Sequence, residues 1–294
     1  MSPRTFATTS PRGLDFSQPP MRLWQKSKQL GIWDPRAIDF TRDRQDWQRL
    51  DPQERDTLLR LSSLFQAGEE SVTVDLLPLI MTVAEEGRLE EEIYLTAFLW
   101  EEAKHVELFR RFLDEVAEDH TDLSRYHTPS YLALFGEALP AALGRLRHDR
   151  SATAQAEASV TYHMIVEGVL AETGYQGYHA SLTRQGILPG MQEAVAKIKQ
   201  DESRHLAYGV YLLARLVAEH GDPVWEAIQA RMALLLDPAL GVIQELFASY
   251  TTMSFGLSLA EFLDFAMRQF QARMARIERA RTHGIAGWIP GEDE

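Results

Sequence analysis

Two pairs of residues in this sequence have the spacing of a chelate. Glu102 and His105 stand three apart, as do Glu202 and His205, and on a helix that interval sets both side chains on one face. A single Glu-x-x-His says little, because 26 Glu and nine His among 294 residues give about 0.8 such pairs by chance. The surroundings of the pairs say more. Glu69 precedes Glu102 by 33 residues (102 − 69) and Glu167 precedes Glu202 by 35 (202 − 167). The chain thus writes one pattern twice: a glutamate, then a Glu-x-x-His on the next helix. One glutamate from each of two helices and a Glu-x-x-His from each of two others form a ligand set for two metal ions. Four carboxylates gathered in a helical core would repel one another, and burying each costs on the order of several kcal/mol. Two divalent cations cancel that charge. Oxygen and imidazole donors favour iron or manganese, and affinity order alone favours iron at both positions.

The remaining composition narrows the chemistry. The chain has no cysteine, which excludes disulfides, thiolate zinc sites, iron–sulfur ligation and a cysteine nucleophile. A formal net charge of −13 argues against nucleic acid or an anionic membrane as partner, since both need clustered Lys and Arg. A length of 294 residues with 45% hydrophobic content suffices for one large domain or two small ones. Met1 to Pro20 is rich in Ser, Thr and Pro and lacks the apolar block of a secretory signal. Apolar runs such as Leu76 to Val83 fall far short of the ~20 residues of a transmembrane segment. These features place the protein in the cytoplasm.

The elements that must position the six residues read as helices throughout. Residues 1–50 carry turn signals (Ser10-Pro11, Pro19-Pro20, Asp34-Pro35) and read as an extended segment packed on the core, with residues 51–294 forming the helical bundle domain. Asp51-Pro52-Gln53-Glu54 is a helix start with its N-cap, first-turn proline and capping-box acid. Leu58, Leu61, Leu64, Phe65 and Val72 then recur on one side, and Pro78 marks a kink. A second long helix follows Gly87 and ends between His120 and Pro129. A shorter helix spans Ser130 to Leu146, a third long one Ala152 to Leu182, and a fourth runs from Pro189-Gly190 through Val217. Two or more further helices lie between Pro223 and Arg281. No segment reads as a strand, so the fold class is all-α: a four-helix bundle core with additional helices.

With these residues in place, the chain resembles the ferritin-like superfamily and, within it, the small subunit of ribonucleotide reductase. Trp33, in Leu30-Gly31-Ile32-Trp33-Asp34-Pro35, resembles that subunit's N-terminal tryptophan. Asp201, just before Glu202, resembles the aspartate that links this tryptophan to a metal-bound histidine, here His105. Two features depart from the subunit. Phe109 stands four residues after His105, where many such subunits carry a radical tyrosine, although a subclass with a manganese–iron centre has phenylalanine there. No tyrosine follows Tyr250, whereas those subunits end in a tail with a relay tyrosine.

Over nearly its whole length the sequence is more similar to the ligand-binding oxidases related to that subunit. The resemblance implies manganese at a first position held by Glu69, Glu102 and His105, and iron at a second held by Glu167, Glu202 and His205, with some glutamates bridging. Two irons are the alternative. It also implies dioxygen as co-substrate, a long-chain fatty acid or similar apolar carboxylate as ligand, a homodimer, and an ether bond between the Val72 β-carbon and the Tyr162 oxygen. Chemically, Val72 follows Glu69 by three residues on the same helix face and offers a tertiary C–H, and Tyr162 precedes Glu167 by five. Tyr175, two turns beyond Glu167, is a candidate to approach the site. The rival readings are a reductase subunit, an iron-storing ferritin relative, and a non-catalytic lipid-binding protein that oxidises itself once.

Overall fold

The computed structural model of the chain describes residues 6–284, all of whose regular elements are helical. The domain reading of 51–294 extends past them at 285–294, and the reading of Met1–Pro20 as lacking a secretory signal at 1–5. Helices α1 (Pro19–Leu30) and α2 (Thr41–Trp47) come first, followed by α3 (Pro52–Asp75), α4 (Leu77–Glu85) and α5 (Leu89–Phe112). Short α6 (Pro129–Tyr131) and α7 (Leu139–Arg145) flank a π-helix, Leu132–Ala138. A third long helix is built from α8 (Ala152–Ser159), a π-helix (Val160–Ala171) and α9 (Glu172–Gln185). The chain continues through α10 (Pro189–His220), α11 (Asp222–Ala248) and α12 (Leu259–His283).

The expected bundle is formed by α3, α5, the α8–α9 helix and α10. Within it α3 packs on α5, and α10 packs on both α5 and the third helix; α11 and α12 cover the third helix from outside. The expected capping box is present: the Asp51 side chain accepts from the Glu54 N–H at 2.8 Å, and Glu54 accepts from the Asp51 N–H at 2.9 Å. Pro78 sits in the first turn of α4, just after the α3–α4 break at Leu76, so the break falls where the proline ring would clash with an unbroken helix.

The extended reading of residues 1–50 does not hold over α1 and α2. Pro19-Pro20, read as a turn, stands in the first turn of α1, where proline's missing N–H costs nothing. Pro20, Leu23 and Ser27 then bury one face of α1, which packs against α5 and α10. Helix α2 has a definite task. Buried Asp43 accepts from the Gly190 and Met191 N–H groups at 2.9 and 2.8 Å, and Asp46 accepts from Leu188 N–H at 3.1 Å. Two acids from α2 therefore satisfy the orphan donors at the start of α10 and complement its dipole. The approach is close enough that a Cβ on Gly190 would lie 2.5 Å from the Asp39 carbonyl oxygen.

Sequence periodicity also missed the π-helices. Val160–Ala171 carries Tyr162 and Glu167 and is buried on every side from Val160 to Val169. A helix buried all round has no solvent-facing side against which a changed pitch would show. Arg273 of α12 donates to the Gly168 carbonyl at 2.9 Å and pairs with Glu172, bracing this segment from outside the bundle.

Candidate metal centre

The four bundle helices bring all six predicted residues together, each buried: Glu69 from α3, Glu102 and His105 from α5, Glu167 from the π-helix, Glu202 and His205 from α10. Both histidines turn Nδ1 inward. His105 Nδ1 lies 3.3 Å from Glu69 Oε2, 3.4 Å from Glu102 Oε2 and 3.4 Å from Glu202 Oε1. His205 Nδ1 lies 3.1 Å from Glu102 Oε1, 3.7 Å from Glu202 Oε2 and 3.9 Å from Glu167 Oε1. Donor atoms fall into two groups, each within 4.8 Å: Glu69, Glu102, His105 and Glu202, and then Glu102, Glu167 and His205. Glu102 belongs to both. Glu202 faces both histidines, Oε1 toward His105 and Oε2 toward His205; the resemblance assigned it to the His205 side, with some glutamates bridging.

Each imidazole presents its Nε2 to a second acid. His105 Nε2 faces Asp201 Oδ2 at 3.3 Å, as expected, and Trp33 Nε1 donates to the same oxygen at 2.8 Å while its ring stacks on His105. His205 Nε2 faces Glu101 Oε2 at 3.0 Å, a partner that sequence reasoning missed. The signal was present, because Glu101 precedes Glu102 as Asp201 precedes Glu202. The bracing is crossed: the acid on α10 orients the histidine on α5, and the acid on α5 orients the histidine on α10. Lys104 donates to Asp201 at 2.9 Å and to the Gly31 carbonyl at 2.6 Å. Arg204 donates to Glu101 at 2.7 Å and also to Asp201.

The donor set fits a pair of divalent cations. Glu102 Oε2, both Glu167 oxygens, Glu202 Oε2 and His205 Nδ1 are buried with no hydrogen-bond partner among the described residues, a large debt for one small volume unless cations meet it. Protonation tells the same story. Burial raises Glu69 to about 8 against the pull of His105, and burial with the charge of Glu202 raises Glu167 well above the carboxylate range. Against the cost of burial, Glu69 and Asp201 hold the His105 proton tightly, and Glu102 and Glu101 do so for His205. Glu102, facing both imidazoles, is held well below the usual range despite its burial. Without cations the cluster balances its charge with protons, which metals would displace.

The remaining predicted residues border this cluster. The Tyr162 hydroxyl donates to Glu102 Oε1 at 3.3 Å and lies 3.4 Å from the Val72 carbonyl oxygen, which places the phenol beside Val72 on α3. Tyr175 donates to Glu69. The Phe109 ring stacks on Phe65 and Tyr175, behind the Tyr175–Glu69 contact. Burial, then the neighbouring carboxylates, pushes both phenols far above their ordinary titration range, so they stay protonated. A pocket opens over the cluster, with Glu69, Glu102, Glu167 and Glu202 at its polar end and Leu64, Phe65, Leu170, Ile243 and Phe262 among its apolar walls.

A helical bundle with this carboxylate–histidine cluster defines a protein of the dinuclear-metal class. A family model described as ribonucleotide reductase, small chain, matches residues 17–270, and the chain belongs to that family. Among solved structures, it is similar to an R2-like ligand-binding oxidase, seen as a V72A mutant with anaerobically reconstituted Mn/Fe cofactor: 35% identity over 92% of this chain and 97% of that one, TM-score 0.86. A Y162F mutant with anaerobically reconstituted Mn/Fe cofactor matches at 35% identity over 91% and 96%, TM-score 0.85. A G68L mutant with non-activated Mn/Mn cofactor, after aerobic reconstitution with Mn and Fe, matches at 34% over 94% and 98%, TM-score 0.87. The chain therefore has the ferritin-like helical fold and is an oxidoreductase of the dinuclear-metal kind. Among the described residues, no helix is long and apolar enough to cross a membrane.

Proposed function

We propose that the protein is a manganese–iron oxidase that uses dioxygen for two-electron oxidation, seats a long-chain fatty acid or similar apolar carboxylate in the cavity, and joins Val72 to Tyr162 by an ether bond. Glu69, Glu102 and His105 would hold manganese and Glu167, Glu202 and His205 iron, with Glu102 and Glu202, each facing both histidines, placed to bridge. The observation that carries this reading is the cavity itself, an apolar pocket ending on four glutamates, with Val72 in its wall and the Tyr162 hydroxyl beside it. Support comes also from the solved relatives, whose Mn/Fe forms include replacements at positions 72 and 162, numbers at which this chain has valine and tyrosine.

When bound, the metal pair supplies electrons for the reduction of dioxygen and neutralises the carboxylates. The chain's own residues do the rest. Asp201 and Glu101 fix the orientation of the two imidazoles, and Tyr175 holds one Glu69 oxygen. The apolar walls exclude bulk water and direct an acyl chain so that its carboxylate reaches the polar end. Tyr162 keeps its proton until it reacts. Ether formation breaks the Val72 Cβ–H and Tyr162 O–H bonds, makes one C–O bond and releases two protons and two electrons. Dioxygen accepts these together with two electrons from the metal pair and two protons from solvent, and leaves as two waters.

The test is peptide mass spectrometry after metal-free protein receives manganese, iron and air. The expected product is a Val72 peptide joined to a Tyr162 peptide with the loss of two hydrogens. Its absence, with both metals verified as bound, would remove the crosslink and the ligand-binding-oxidase reading, and return the chain to a reductase-subunit or general dinuclear-oxidase reading.

A further inference from the structure

We infer that Tyr208 is a one-electron relay to the metal centre, passing its phenol proton to Glu91 as it is oxidised and regaining an electron from the surface through Tyr211. The inference rests on the reading that dioxygen is reduced at this centre. His205, Tyr208 and Tyr211 stand three apart on α10, so they form a slanting row that covers about 9 Å along the helix axis. Aromatic rings fill the space beside the row. Phe98 stacks on His205 with centroids 3.7 Å apart and lies 6.5 Å from Tyr208. His163 lies 5.9 Å from Tyr208 and 4.8 Å from Tyr162. Tyr211 follows Tyr208 at 6.2 Å. Tyr208 is fully buried and Tyr211 is 5% exposed, so the row leads from a residue of the centre toward solvent through rings that nearly touch.

What singles out Tyr208 is the destination of its proton. An oxidised phenol is a strong acid, so inside a protein the electron leaves readily only where the proton has an acceptor. The Tyr208 hydroxyl donates to Glu91 Oε2 at 3.1 Å, and the other Glu91 oxygen lies 3.2 Å from Arg215 Nε. Glu91 is 1% exposed and belongs to neither donor group of the centre. Tyr94, 5.3 Å from Tyr208, has a buried hydroxyl with no partner among the described residues. The phenols of Tyr162 and Tyr175 donate to Glu102 and Glu69, within the centre itself. Reduction of dioxygen to two waters takes four electrons and four protons, and the metal pair gives two of the electrons. A turnover in which neither the Val72–Tyr162 ether nor a substrate is oxidised lacks the other two. Tyr208 supplies them one at a time: its O–H bond breaks, the electron passes inward, the proton passes to Glu91, and a tyrosyl radical remains. A soluble one-electron reductant then gives an electron through Tyr211, and Glu91 returns the proton. Two such passages complete the four electrons, and solvent supplies the four protons.

Full-length Tyr162→Phe protein, in which no ether can form, would be loaded with manganese and iron without air, mixed with aerated buffer free of reductant, and freeze-quenched for electron paramagnetic resonance. The expected signal is an organic radical whose hyperfine structure collapses when the tyrosines are ring-deuterated. Adding Tyr208→Phe should abolish it, and adding Glu91→Gln should diminish it by removing the proton acceptor. Adding Tyr211→Phe should keep the signal but slow its loss to added ascorbate. Tyr94→Phe, which trims the hydroxyl from the neighbouring ring, should leave it unchanged and so separates the relay from a general disturbance of packing. A tyrosyl signal that persists in Tyr208→Phe, or one that Glu91→Gln leaves at full strength, overturns the inference. So does dioxygen uptake with no radical in any of these proteins, which leaves the oxidase reading intact. Absence of dioxygen uptake by the wild type, with both metals verified as bound, overturns the oxidase reading itself, and this inference with it.

Discussion

Glutamine in place of Glu101 tests the crossed bracing most directly, because it removes charge with little change of shape. Glu101 is fully buried, with Oε2 3.0 Å from His205 Nε2 and Oε1 2.7 Å from Arg204. Arg204 keeps its pairing with Asp201 and its bond to the Gln200 carbonyl at 2.8 Å, so the guanidinium is not left alone in the core. The loss falls on His205, whose ring gives up an anionic partner for a neutral amide. Partners of metal-bound histidines affect affinity by about 10–100-fold, or about 1.4–2.8 kcal/mol. Since Glu101 faces only His205, one metal equivalent should weaken by that factor and the other should hold. Asp201→Asn should show the converse, weakening the equivalent at His105. It should also lower stability by about 3–5 kcal/mol, because buried Lys104 loses its carboxylate. The assay is anaerobic titration of metal-free protein with Mn(II), following the unbound ion by electron paramagnetic resonance against a competing chelator. If both variants weakened both equivalents alike, or neither did, the one-acid-per-histidine assignment would be wrong.

Metal-free protein should lose thermal stability between about pH 5 and 8: Glu69 is raised to about 8, and Glu167, His105 and His205 are raised as well. Each raised group contributes stability that is complete below its unfolded value, 4.5 for glutamate and 6.5 for histidine, and that is lost as pH rises through the folded value. Glu102 and Asp201, both lowered, lose their contributions only on the acid side of this window. Metals displace the same protons, so the Tm gain on loading should grow with pH; calorimetry showing a metal-free Tm that climbs from pH 5 to 8 would contradict this. Arg273→Leu should cost about 1–3 kcal/mol by leaving the Gly168 carbonyl without its guanidinium, and unchanged denaturant midpoints would show that the π-helix needs no such brace. Gly209→Ala should cost about 1–3 kcal/mol by overpacking, since its Cβ would lie 2.3 Å from the Cβ of His163; a Tm equal to the parent's would mean that α10 shifts freely.

The six clustered residues were legible because their signal is a repeat: neither Glu-x-x-His is informative alone, but the preceding glutamate at nearly equal distance ties each to its own helix pair. Asp201 was legible through resemblance, and Glu101 could have been found by carrying the repeat one residue further. Other parts had no local signal. Glu202 reaches His105 as well as His205 because four helices converge at particular rotations, which no spacing along one helix encodes. Helix α1 was hidden because Pro-Pro serves equally as a turn and as a first helical turn, and only the face that packs on α5 and α10 decides between them. The π-helix was hidden because its residues are buried all round.

The exchange of acids between α5 and α10 has a mechanical consequence. If α5 turned about its axis by one residue step, Glu102 and His105 would leave the cluster, and in the same motion Glu101 would withdraw from His205 on the opposite helix. A misalignment of either helix is thus registered at both ends of the centre, as in two toothed wheels that can advance only together. Lys104 and Arg204, each beside its own helix's histidine and paired with the acids, lie on the same linkage. Change at this centre is therefore constrained to move in sets: a tolerated substitution at 101 should bring its answer at 204 or 205, and one at 201 its answer at 104, 105 or 33.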